Sequence, residues 1–359
     1  MLITTERLEL TKRFPLTISR GTITGSTNVI VRVESNGIVG LGEMAPSDVT
    51  GDSAEATEAE VARWSGELGD VEPFELQRIG KILGPVGRVG SAARCALDSA
   101  CYDWLGKRAK LPVWQLLGVD RHRCVPTSVT VGINAPDVVR DRTEEVLART
   151  GAQVLKVKLG QPAGYEADQA MFVAAQEGAA EFGRRTGVAA TGWRVDANGG
   201  WSLDVALKMV PWLAARGVTY VEQPLAEGDE DNLRSLFKQS ELPIFADESV
   251  HSSKDVADLA DRIHGVNLKL MKCGGISGAL PIIHTARAHR LSVMMGCMGE
   301  SSMAISASAA LGGLADHLDL DSHLNLLHDP FVGAHFEAGR VFPNSQPGLG
   351  VTPRKGDSE

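Results

Sequence analysis

The residues most able to do chemistry in this chain are charged side chains set inside short apolar runs. Lys156 and Lys158 stand two apart in QVLKVKLG, Asp196 lies in GWRVDANG, Glu222 in GVTYVEQP and Asp247 in PIFADES. Lys269 follows in GVNLKLMKCGG, and Asp319 and Asp321 close the series in HLDLDSH. A charge in an apolar strand is costly unless paired or bound to metal, so a series of them needs a common purpose. A single such carboxylate reads best as a rim salt bridge. Three of them, on successive apolar runs, read better as one ligand set. Asp196, Glu222 and Asp247 converge if their segments are neighbours, and an all-oxygen set with open positions suits Mg²⁺ better than zinc.

The lysines follow from strand geometry. Side chains alternate faces with period 2, so Lys156 and Lys158 point the same way, with Lys158 nearer the strand end. A positive charge on Lys156 beneath it should lower the pKa of Lys158 and make it a usable base. Lys269 and Lys272 have opposite parity, so only one faces inward. Lys269, on the apolar run itself, is the choice; Lys272, beside Gly274 and Gly275, reads as a loop or rim lysine.

These positions must be held by a frame. From about residue 126, eight short apolar segments (TSVTVGI, QVLKVKLG, GWRVDANG, GVTYVEQP, PIFADES, GVNLKLMKCGG, LSVMMGCMG and HLDLDSH) alternate with seven helical stretches. Strands of this buried type belong to a parallel sheet covered on both faces. Their number and spacing predict an α/β fold, a (β/α)7β TIM-type barrel, ahead of an open doubly wound sheet, with the chemistry at the C-terminal ends of the strands. Before it, NVIVRVES and GIVGLGE meet at a hairpin dipeptide, Asn36-Gly37, and SAARCALDSACYDWLGKRAKLPVWQLLG has helical spacing, as in an α+β region. The expected division is a capping domain over 1–122, the barrel over 123–324, and a proline-rich tail over 325–359 packing back on the cap. In an eight-membered ring the second and sixth strands are opposite, as are the fourth and eighth. Lys158 and Lys269 then face each other, and Asp319 with Asp321 faces the metal. That layout suits a two-base proton transfer beside a carboxylate: one lysine removes the α-proton, the other returns it from the far side, and a hard cation offsets the charge between those steps.

Composition narrows the partners. With 359 residues, 43% hydrophobic and 23% charged, the chain reads as a soluble two-domain protein. A net charge of −9 argues against nucleic acid or an anionic membrane as the main partner. MLITTERLEL has no apolar core of a signal peptide, and no run of 18 apolar residues appears. Five cysteines, odd in number and without a CxxC pair, read as reduced thiols in a cytoplasmic protein.

Taken together, K-x-K at 156–158, VDANGGW, VEQP, ADES and NLKLMKCGG resemble the enolase superfamily, muconate-lactonising-enzyme subgroup, over nearly the whole chain. The resemblance implies Mg²⁺ on Asp196, Glu222 and Asp247, with Lys158 and Lys269 as the acid/base pair. Asp319-Leu320-Asp321 looks like the Asp-x-Asp motif with which dipeptide epimerases hold the substrate ammonium, and Lys156, Asn198, Arg20 and Cys297 complete the candidate substrate-binding set. Charge agrees: two same-face carboxylates opposite a metal make a cation site, so a zwitterion such as a dipeptide fits. An N-acylamino-acid racemase, an o-succinylbenzoate synthase or a muconate cycloisomerase is the alternative inside the subgroup; a barrel that binds without turnover is the alternative outside it. Side-chain choice falls to the loops TISRGTIT (17–24) and APSDVTGDS (45–53). There Arg20 resembles the arginine that takes a substrate glutamate in L-Ala-D/L-Glu epimerases, while Asp48, Asp52 and Glu55 point to a cationic or neutral side chain. Barrels of this class are often multimers, so a homo-oligomer stays among the expectations.

Overall fold

The computed structural model describes residues 1–188 and 192–355. The chain opens with three antiparallel strands, β1 (Leu2–Ile18), β2 (Gly21–Ser35) and β3 (Ile38–Met44), in the order β1-β2-β3. Asn36 and Gly37 both take positive φ, 52° and 73°, the turn whose twist matches that of its flanking strands. The sheet packs on the helix Ser91–Ala109 at very close range. A side chain on Gly42 would place its first carbon 2.0 Å from the carbonyl oxygen of Ala96, and Gly40 meets Ala100 in the same way. The glycines of GIVGLGE and the alanines of the helix are therefore two halves of one contact.

Eight parallel strands follow: β4 (Ser128–Val131), β5 (Val154–Lys158), β6 (Gly192–Asp196), β7 (Val218–Glu222), β8 (Ile244–Ala246), β9 (Gly265–Leu268), β10 (Ser292–Gly296) and β11 (His317–Asp319). Each pairs with the next in sequence order. A parallel bridge from Thr127 to Leu318 closes the ring, with Leu320 N donating to Thr127 Oγ1 at 2.8 Å. Helices cover every crossover, from Pro136–Thr150 after β4 to Ser302–Ala309 before β11, which is the alternation expected from the sequence. A small cluster of Tyr220, Phe245 and Met294 packs apart from the main core.

The tail returns to the cap. Gly348 bridges to Pro112, Leu349 N donates to Asp103 Oδ1 at 2.7 Å, and Trp114 Nε1 donates to Asn344 O at 2.9 Å. All five cysteines are free, and no helix among the described residues is long and apolar enough to cross a membrane.

Candidate active site

Strand register places the polar layer. Lys158 pairs with Asp196 across β5 and β6, and Asp196 pairs with Glu222 across β6 and β7. Glu222 pairs in turn with Phe245, two residues before Asp247. The buried carboxylates of Asp196, Glu222 and Asp247 each offer an oxygen, and these oxygens lie within 4.8 Å of one another. Burial and then the charge on Asp196 push the Glu222 carboxyl well above its ordinary value, so this side of the cluster is short of positive charge. Converging hard oxygen donors with that deficit fit a divalent cation such as Mg²⁺.

Four lysines surround the cluster and divide into two kinds. Lys156, 1% exposed, reaches Glu222 and Asp319 at 2.7 Å and Asp196 at 3.0 Å. It is therefore not the lone charge expected beneath Lys158. Burial opposes its ammonium, but Asp196, Asp319 and Glu222 hold its pKa above the usual lysine value. Lys272 corrects the sequence reading more sharply. It is no rim lysine: at 1% exposure its Nζ lies 2.6 Å from Asp247 Oδ1 and 3.1 Å from the carbonyl oxygen of Asn267. Lys158 and Lys269, 8% and 7% exposed, instead border the cavity, each with one carboxylate: Asp196 at 2.5 Å and Asp247 at 2.6 Å. Burial disfavours the Lys269 ammonium, yet Asp247 and Glu222 hold it above its ordinary value. Asp196 and Asp247, though buried, are kept low by their paired lysines.

Across the ring the two acids of Asp-x-Asp are not equivalent. Asp319 accepts from Lys156 and Ser128, and that lysine holds its carboxyl low against burial. Asp321, just past the strand, spends one oxygen on Thr130 N at 2.6 Å; burial and Asp319 push its carboxyl up. Cys297 Sγ donates to Asp319 O at 3.2 Å and lies 3.9 Å from Asp321 Oδ1. Asn198, at φ 45°, donates its backbone N–H to Asp196 Oδ1 at 2.8 Å. Arg20 Nη1 lies 2.8 Å from Glu248 Oε1. Of the loop acids, Asp52 accepts from Gly90 N and Ala92 N, and Glu55 pairs with Arg7, so both are spent in the cap.

Sequence reasoning passed over three polar groups here. Asn267 Nδ2 donates to Glu222 Oε1 at 2.7 Å. It shares parity with Lys269, the signal that could have found it. Gln223 Oε1 accepts Asp247 N at 2.8 Å and so sets the third acid. Lys12, from β1, borders the cavity; burial pulls its pKa down while Cys297 and Asp321 pull it up. The cavity is about 410 Å³ and runs from the polar layer up to apolar residues of the cap, among them Ile18, Ile23, Pro46 and Val49.

Fold and site together define a barrel of the enolase type, with three acids at the C-terminal ends of adjacent strands and lysines on either flank. Residues 138–357 match the family described as enolase C-terminal domain-like, and residues 2–118 match the N-terminal domain of mandelate racemase / muconate lactonizing enzyme. The chain belongs to this family. It is 49% identical over 342 residues to a hydrophobic dipeptide epimerase of Roseobacter litoralis, covering 95% of this chain and 96% of that protein. It is 33% identical over 344 residues to an L-Ala-D/L-Glu epimerase of Bacteroides thetaiotaomicron, covering 96% and 85%. A crystal structure of an Enterococcus faecalis dipeptide epimerase, complexed with Mg and L-Leu-L-Tyr, superposes with a TM-score of 0.88 at 30% identity, covering 98% of this chain and 99% of that one.

Proposed function

We propose that the chain is a Mg²⁺-dependent dipeptide epimerase that inverts the α-carbon of the second residue. The observation that carries this is the placement of Lys158 and Lys269 at the C-terminal ends of strands four apart in an eight-membered ring, each bound to a different carboxylate of one three-acid cluster. Asp196, Glu222 and Asp247 would hold Mg²⁺, which when bound would supply positive charge to offset the charge that develops beside the substrate carboxylate. The protein's own groups do the rest. One lysine enters as the free amine and takes the α-proton; the other enters as the ammonium and delivers its proton to the opposite face. Lys269 is the donor in one direction, and the roles exchange for the other stereoisomer. Asp321 accepts the substrate ammonium, while Asp319 works through Lys156 to keep the floor of the site in place. The 49% identical relative, named for hydrophobic dipeptides, and the apolar wall of the cavity support apolar substrates. A cytoplasmic location fits the free cysteines.

Incubation with a dipeptide library and Mg²⁺ in D₂O, read by mass spectrometry, tests the reading. Deuterium should enter the α-position of dipeptides bearing a free amine and fail to enter their N-acetylated counterparts. It should also be lost in Asp321→Asn and after chelation. Exchange into N-acylated amino acids but not dipeptides would overturn the assignment in favour of a racemase of the same subgroup.

A further inference from the structure

The tip of the β1–β2 hairpin reaches over the barrel mouth and is fastened there. Ser19 Oγ donates to Asn198 O at 2.9 Å, and Arg20 Nη1 donates to the same oxygen at 3.0 Å. The same nitrogen lies 2.8 Å from Glu248 Oε1, and Asn198 Nδ2 donates to that oxygen at 3.2 Å. Glu248 is 7% exposed, and its second oxygen, buried, has no hydrogen bond among the described residues. Asn198 therefore faces two ways: its backbone N–H holds Asp196 of the acid cluster, and its carbonyl holds the cap. A second tie lies outside the first, where Arg88 Nε donates to Val49 O at 2.9 Å and Nη1 to Glu227 Oε1 at 2.8 Å.

We propose that Arg20 is a positioning residue: it latches the cap onto the barrel through Asn198 and Glu248, and because its charge is committed to Glu248 the enzyme rejects an acidic side chain on the residue it epimerises. The inference rests on the dipeptide reading and deepens it. A substrate carboxylate could claim Arg20 only by taking from Glu248, nearly buried, its one cationic partner and leaving it the amide of Asn198, a penalty of about tenfold or more in binding because the Arg20 side chain is itself 38% exposed. An apolar side chain asks nothing of the pair and packs on the apolar wall formed by Ile18, Ile23, Pro46 and Val49.

Three variants separate the latch from a substrate receptor. Arg20→Met should raise KM for L-Ala-L-Leu about tenfold with a smaller fall in kcat, and Arg20→Lys, which keeps the charge pair, should recover most of the KM. Glu248→Gln frees the guanidinium and should raise the ratio of kcat/KM for L-Ala-L-Glu over L-Ala-L-Leu at least tenfold. Amide hydrogen exchange read by mass spectrometry, without substrate, should show faster exchange over residues 17–24 in Arg20→Met than in the wild type. If Arg20→Met abolishes turnover of L-Ala-L-Glu and spares L-Ala-L-Leu, or if Glu248→Gln leaves the ratio unchanged, the arginine is not committed as described. Unchanged exchange over 17–24 overturns the latch. Should the wild type process no dipeptide, the dipeptide reading fails, and the exchange comparison still decides the latch.

Discussion

Replacing Lys272 by Met tests the unexpected half of the lysine arrangement. The ammonium lies 2.6 Å from Asp247 Oδ1 and also donates to the backbone carbonyls of Asp247 and Asn267. At that separation and an effective dielectric constant of about 20, attraction to Asp247 alone is about 6 kcal/mol, an upper limit because the ammonium was desolvated to reach its place. Met matches the length of the stem but leaves Asp247 with Lys269 as its single ammonium partner and two carbonyls short of a donor. Breaking a buried pair in this way costs about 3–5 kcal/mol, a large share of the 5–15 kcal/mol that stabilises a typical protein. With a urea slope near 3 kcal/mol/M, the unfolding midpoint should fall by about 1 M or somewhat more. Urea denaturation of wild type and variant, followed by circular dichroism, measures the shift. A loss of less than about 1 kcal/mol would refute the reasoning, since a rim lysine in an exposed pair contributes only that much.

Glu300 gives a pH signature: burial pushes its carboxyl up to about 8, so the folded state keeps a proton that the unfolded chain releases near pH 4.5. Stability should therefore fall as pH rises from about 4.5 to about 8, and Glu300→Gln should flatten that slope in denaturation midpoints measured across the range. In the cap, Gly42→Ala drives a methyl into the carbonyl of Ala96 and should cost about 1–3 kcal/mol or more by thermal unfolding, whereas Gly37→Ala acts through turn strain alone and should cost less.

What the sequence revealed and what it hid both have physical reasons. Period-two parity along apolar runs was enough to set Lys156 and Lys158 on one face, and charges at strand ends were enough to single out the three acids. Parity failed at Lys272 because β9 stops at Leu268 and Lys269 caps a short helix, Leu270–Cys273. From there the period is 3.6, not 2, and Lys272 comes round beside Lys269 instead of turning away. Equal parity also made Asp319 and Asp321 look alike. Depth separates them: one lies within the strand, beside Lys156, and the other past its end. The partner of Arg20 was out of reach for a different cause, since Glu248 lies more than two hundred residues along the chain and only the closed fold brings them together.

The seam between the first and last barrel strands carries a consequence for how the molecule is made. Ser128 meets Asp319 across 191 residues of chain, and Lys156 meets the same acid across 163. Contacts so distant in sequence form late, because the intervening chain must first be gathered. Until the final strand arrives, Lys156 lacks one of its three counter-charges and Asp321 does not exist at the mouth. Closing the ring and completing the polar layer are thus a single event, so a nascent or partly unfolded chain holds neither the full charge balance nor the carboxylate proposed to take the substrate ammonium. Activity recovered during refolding should appear with ring closure, with no earlier partial phase.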